Sequence, residues 1–169
     1  GGVPYYYSLL DKKNSLAQNI DRLFFGEDGE MRREHDRLFK SLFASPDSYL
    51  SIIKVLSENK QGLSRDEIAN KAKLSNNGRL SKILTNLKNC DFIRSFNVKA
   101  NAQFYQLTDL FTLFHYTFAQ KTTTDEHYWS NMIGTSRMNS WLGLAFERVC
   151  LLHIPQIKST LGIDRIHTE

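Results

Sequence analysis

Six basic residues are concentrated in one stretch of this sequence, and with Asn76, Asn77 and Asn86 they are the residues best suited to chemistry. Residues 73–101 hold Lys73, Arg79, Lys82, Lys88, Arg94 and Lys99 against a single acid, Asp91. Elsewhere the charges nearly cancel: residues 1–46 carry 7 of each sign and residues 47–72 carry 4 of each. A local basic excess on a balanced chain is the footprint expected for an acidic polymer, and a solvated lysine-rich surface is the plainer alternative. If residues 78–89 are helical, Arg79, Lys82 and Asn86 fall within an arc of roughly 60°, about 120° from the apolar face, with Thr85 beside them. Asn76 and Asn77 stand at the start of that helix. Arg and Asn make paired hydrogen bonds to base edges, and Lys suits phosphates. Arg94 and Lys99 belong to the hairpin that follows, within reach of a neighbouring phosphate or a minor groove. The alternative is an interaction module, in which the helices and hairpin of residues 45–107 and the aromatic segment 108–119 mediate subunit or partner contacts.

Other chemistry is poorly supported. Glu147 shares a strip of small or polar residues with Ser140 and Gly143 in an otherwise apolar helix. A carboxylate there could bind a metal or shift its pKa, but a solvent-facing residue of a packed helix is the commoner case. The histidines, His35, His115, His127, His153 and His167, show no zinc-site spacing, and Cys150 with His153 makes only half a site. Neither a G-x-x-x-x-G-K-[ST] phosphate loop nor a G-x-G-x-x-G fingerprint occurs, so the chain is not expected to bind or hydrolyse ATP alone. No nucleophile–base arrangement can be assigned.

The elements that would position these residues are legible. Ser45-Pro46-Asp47 reads as a helix start with Ser45 as cap, followed by Tyr49, Ile52, Ile53 and Leu56 at helical spacing. Gly62 ends that helix. Ser64-Arg65-Asp66-Glu67 is a capping box, flanked by Leu63 and Ile68 as a hydrophobic staple. The short helix that follows would bury Ile68, Ala69 and Ala72. A turn through Lys73-Leu74-Ser75 leads to a third helix with Leu80, Ile83, Leu84 and Leu87 on one face. Two β-like runs, 92–98 and 103–107, complete a hairpin. Three helices and a hairpin over residues 45–107 is the order of a winged helix-turn-helix.

Before it, residues 1–44 read as two amphipathic helices. The first is capped by Asn14 or Ser15 and uses Leu16, Ile20, Leu23 and Phe24. The stretch Gly26–Gly29 breaks it, and the second helix uses Leu38, Leu42 and Phe43. After it, in residues 108–169, the segment 108–119 is apolar nearly all round and so is expected to be buried on several sides. Lys121–Thr124 reads as a linker. A long helix is expected from about Thr135 to Leu152, and a short one after Pro155. The fold class is therefore mostly α with a small β-hairpin.

Composition bounds the rest. At 169 residues, 41% hydrophobic and 24% charged, with net charge +4, the chain has the make-up of one globular domain or two small ones. No apolar run approaches the roughly 20 residues of a membrane-spanning helix, and no secretory signal is recognisable. Cys90 and Cys150 cannot make a disulfide framework, so a reducing cytoplasm is the expected setting.

The opening Gly1-Gly2-Val3-Pro4-Tyr5-Tyr6, the winged-helix pattern and the stretch Tyr105–Asp109 carry a resemblance. Trp141-Leu142-Gly143-Leu144-Ala145-Phe146-Glu147-Arg148-Val149-Cys150, followed by His153–Lys158, is its most specific part. Together they resemble the C-terminal part of a family of predicted archaeal and bacterial AAA+-like P-loop ATPases. The resemblance covers essentially the whole chain. It implies lid helices in residues 1–44, a winged helix in 45–107 and the start of a restriction-nuclease-like region in 108–169. It further implies an ATPase core as partner, with Gly1, Gly2 and Pro4 near the adenine of its ATP and with Mg as cofactor. Glu147 would match the first-helix glutamate of the nuclease-like region, without catalysis in this chain. On this reading the sequence is a fragment, DNA is its partner, and apolar surface left uncovered on the last helices would favour self-association.

Overall fold

The computed structural model describes residues 4–98, 102–120 and 125–165. Its elements run α1 (Pro4–Ser8), α2 (Leu16–Ile20), α3 (Glu34–Leu42), α4 (Asp47–Glu58), β1 (Leu63–Ser64), α5 (Arg65–Ala72), α6 (Gly78–Asn89), β2 (Ile93–Val98) and β3 (Ala102–Leu107). α7 (Leu110–Phe114), α8 (Tyr128–Met132), α9 (Ser136–Leu152) and α10 (Ile154–Leu161) follow. The fold is mostly α with a small antiparallel sheet, as expected. No helix among the described residues is long and apolar enough to cross a membrane.

Residues 47–107 form the centre. α4, α5 and α6 pack together, and the helical spacing delivers its residues: Ile52, Ile53, Leu56, Ile68, Leu80, Leu84 and Leu87 are fully buried. Burying each such side chain contributes about 1.5–3 kcal/mol before the entropy of ordering it. The capping box is complete: the Ser64 hydroxyl accepts from the Glu67 N–H, and the Glu67 carboxylate accepts from the Ser64 N–H. The other expected cap is absent. Pro46 occupies the cap position of α4 without any side-chain hydrogen bond, so Ser45 does not cap it.

The hairpin is antiparallel, with Ile93 opposite Leu107 and Phe96 opposite Phe104. A two-residue strand missed in the sequence, β1, pairs with β3 through Leu63 opposite Tyr105, giving the order β1-β3-β2. Gly62 makes this pairing possible. Its φ is +91°, and a Cβ there would lie 2.8 Å from the Tyr105 carbonyl oxygen. Lys73 closes α5 in the left-handed conformation (φ 55°), a rare setting for a residue with a side chain. Residues 99–101, and with them Lys99, lie outside the described residues, as does the expected linker 121–124.

The surrounding helices depart further from expectation. α2 starts at a Ser15–Gln18 capping box but loosens into a π turn at Asp21–Phe25. Leu23 is buried as expected and Phe25 joins it inside this turn, whereas Leu16, the first residue of α2, is exposed. A 3-10 turn, Glu30–Arg33, precedes α3. The buried stripe of α3 is His35, Phe39 and then Phe43, at spacing i, i+4, i+8; the expected Leu42 lies off this stripe and is 47% exposed. The segment 108–119 is buried on several sides as expected, α7 continuing as a π turn over His115–Ala119. Its rings join a chain in which Phe114 meets Phe24 and Trp129, and Phe118 meets Trp129 and Trp141.

Buried polar groups join distant segments here. Both Asp21 carboxylate oxygens accept from α8: the Trp129 N–H at 2.7 Å, the Ser130 N–H at 3.1 Å and the Ser130 hydroxyl. The buried Asn19 amide accepts from the Asp11 N–H and donates to the Asp11, Asn14 and Ser15 carbonyls, folding the 11–15 loop around itself. A buried polar side chain is tolerated when its hydrogen bonds are met in this way.

Candidate nucleic-acid interface

α6 holds its basic face by burying the opposite one. With Leu80, Ile83, Leu84 and Leu87 in the core, Arg79, Lys82 and Thr85 project into solvent. Neither Arg79 nor Lys82 pairs with an acid among the described residues, and α6 itself carries none. The Asn77 side chain accepts from the Arg79 N–H at 2.9 Å and caps the helix. This fixes the helix start where Asn76 and Arg79 emerge. Asn76 donates to the Asp66 carboxylate, which ties α5 to the turn. The Arg65 guanidinium donates to the Asn77 carbonyl at 2.8 Å and secures the turn from its other side.

Beside this start is a hollow of about 220 Å³, lined by Ser48, Lys73, Leu74, Ser75, Asn77, Arg79, Leu80 and Ile83. Lys73 and Ser75 were not singled out as contacts in the sequence, although Lys73 belongs to the basic stretch. Their place in the hollow depends on the left-handed turn at Lys73, which residue types alone do not announce.

Two expected contacts face elsewhere. Asn86 is half-buried and donates from its amide to the Tyr49 hydroxyl at 2.8 Å, joining α6 to α4. Arg94 lies over the Phe96 ring at 5.1 Å and donates from Nε to the Gln106 side-chain oxygen at 2.7 Å. Burial pulls its guanidinium pKa below the ordinary value, with the Glu147 carboxylate opposing the shift. Arg94 thus braces the sheet toward α9.

The brace continues. The Gln106 amide and the Arg148 guanidinium both donate to the Lys60 carbonyl, each at 2.6 Å. Arg148 is 2% exposed and also lies 3.6 Å from the Glu147 carboxylate. Glu147 itself is 61% exposed and belongs to no group of metal-ligating side chains among the described residues. Pro4 opens α1 on the surface. Gly1 and Gly2 lie outside the described residues.

The last two helices leave apolar side chains in solvent. Phe146 is 71% exposed, and Leu142, Leu152 and Leu161 are each more than half exposed.

Comparison with known proteins finds no family model that matches the chain, and no curated protein or solved structure matches it either. Nothing in these comparisons joins the chain to the P-loop ATPases.

Proposed function

We propose that this chain is a nucleic-acid-binding module of the winged-helix type, with α6 as its recognition helix. The observation that carries the reading is the unpaired Arg79–Lys82–Thr85 face, opposite a fully buried apolar face on a 12-residue helix. Such a helix is about 18 Å long, a length that lies within a major groove. The Lys73–Ser75 hollow beside it suits a backbone phosphate. The resemblance to P-loop ATPases adds the expectation that the module works beside a nucleotide-binding core. This sequence has no phosphate loop, so its own residues do not fit ATP and Mg, and no chemical step is assigned to it.

The test is fluorescence anisotropy of a labelled duplex at two salt concentrations. Binding should weaken steeply with salt, because phosphate contacts release counterions. Arg79→Ala/Lys82→Ala should weaken it and flatten the salt dependence by about one per lost phosphate contact, with the fold unchanged. Absence of binding at low salt by folded protein would refute the reading.

The exposed apolar residues of α9 and α10 favour a second reading, an interaction module that associates with other subunits. It predicts concentration-dependent self-association in sedimentation, reduced by Phe146→Ser and insensitive to Arg79→Ala/Lys82→Ala.

A further inference from the structure

His35 and His115 are 80 residues apart in sequence, yet their rings stack 4.0 Å apart and 6° from parallel. His35 is fully buried, and neither of its ring nitrogens has a hydrogen-bond partner. Buried polar atoms are almost always paired, so two unpaired nitrogens on one buried ring call for a function. The Asp36 carboxylate lies 3.7 Å from His35 Nδ1, on the solvent side. Ligand atoms from His35, Asp36 and His115 all lie within 4.8 Å of one another. Asp36 and His115 also line an open groove, so an ion could enter from solvent.

The surroundings favour the ligand form of both rings. Burial lowers the pKa of each, and for His115 burial together with the neighbouring imidazole brings it to about 4. Both are therefore neutral at physiological pH, with lone pairs available. Tyr116 stands edge-on to both rings, and Phe39 and Phe111 pack against His35, forming an apolar wall on the side away from the groove.

We infer that His35, Asp36 and His115 form a binding site for a divalent transition metal of the zinc class, with the remaining coordination position open to the groove. Two imidazoles and a carboxylate are a donor set that such ions take, whereas calcium and magnesium prefer oxygen alone. Parallel stacking sets the ring lone pairs side by side. Binding therefore turns a ring about its Cβ–Cγ bond, and His115, on the groove, is the ring that turns.

The experiment titrates chelator-treated protein with Co²⁺, followed by displacement with Zn²⁺. The expected result is a visible ligand-field band saturating at one ion per chain and removed by Zn²⁺, with a Zn²⁺-dependent rise in Tm. His115→Ala should lower Zn²⁺ affinity by at least about 100-fold, more than an outer-shell change costs, and abolish the Tm rise. Asp36→Asn, on a side chain that is largely exposed, should lower it by about tenfold or more. Circular dichroism confirms that each variant is folded. Folded wild-type protein with no Co²⁺ band and no Zn²⁺-dependent Tm shift overturns the assignment. So does undiminished binding in both variants, which would place the ion elsewhere, for instance at Cys150 and His153.

Discussion

In residues 47–107 the buried positions follow from each helix's own spacing, and the caps and turns lie within a few residues of what they cap. In the flanking segments, residues 4–43, 109–120 and 125–165, α1, α2, α7 and α8 have only five residues each, α2 and α7 run on into π turns, and cohesion comes from rings and polar anchors remote in sequence. Asp21 is 108 residues from the Trp129 N–H it accepts from. Helices this short are unstable alone, so they depend on tertiary contacts. The centre is specified largely by local signals, and the short flanking helices by partners remote in sequence.

Phe39→Ala is the severest challenge to this contrast. The ring is fully buried and touches His35 and Phe43 on the outer side and Phe92 at the edge of the sheet. Deleting it should cost about 3–5 kcal/mol in urea unfolding, the range for large core aromatics. A cost below about 1 kcal/mol would mean that the two regions do not lean on each other.

The same contrast explains what the sequence reveals. Leu80, Ile83, Leu84 and Leu87 repeat at helical spacing, and Ser64 with Glu67 is a local motif, so both are readable from neighbours alone. Leu42 was expected inside and His35 outside any site, because one turn of α3 carries no record of Phe111 or His115 packing against it. Leu16, at the open start of α2, is exposed for the same lack of a remote partner. Within the candidate interface, Arg79 and Lys82 are where helical spacing puts them. Asn86 and Arg94 have the right residue types but are claimed by Tyr49 and Gln106, partners fixed only by tertiary structure.

Asp21→Asn sharpens the comparison at intermediate size. The amide keeps the shape but replaces one acceptor oxygen with a donor, leaving an α8 N–H unmet. The expected loss is about 1–3 kcal/mol. Hydrogen exchange should quicken in α8 and the Asp21–Phe25 turn while protection in α4 and α6 stays near its original value. Equal acceleration in both regions would show that they open as one unit.

The smallest effect belongs to the centre. Ser64→Ala should cost about 1 kcal/mol, the usual value of a lost cap. The Ser64 hydroxyl and N–H hold the Glu67 carboxyl below the ordinary glutamate range. Their stabilisation is fully present above the unfolded value near 4.5 and is lost as pH falls through the lower, folded value. Wild type should therefore lose its advantage over Ser64→Ala in that acid window, as thermal melts across pH would record. An advantage that grows on acidification would show the sign to be wrong.

The double claim of Gln106 and Arg148 on the Lys60 carbonyl has a mechanical consequence. α9 is a rod of 17 residues, about 25 Å long, anchored by Met138 and Trp141 at one end and by Arg148 near the other. Lys60 acts as a fulcrum shared by that rod and by β3, because one oxygen atom serves both. The hairpin and the last long helix are therefore moored to the same point of the chain, and a substitution that displaces the Lys60 carbonyl unties both at once.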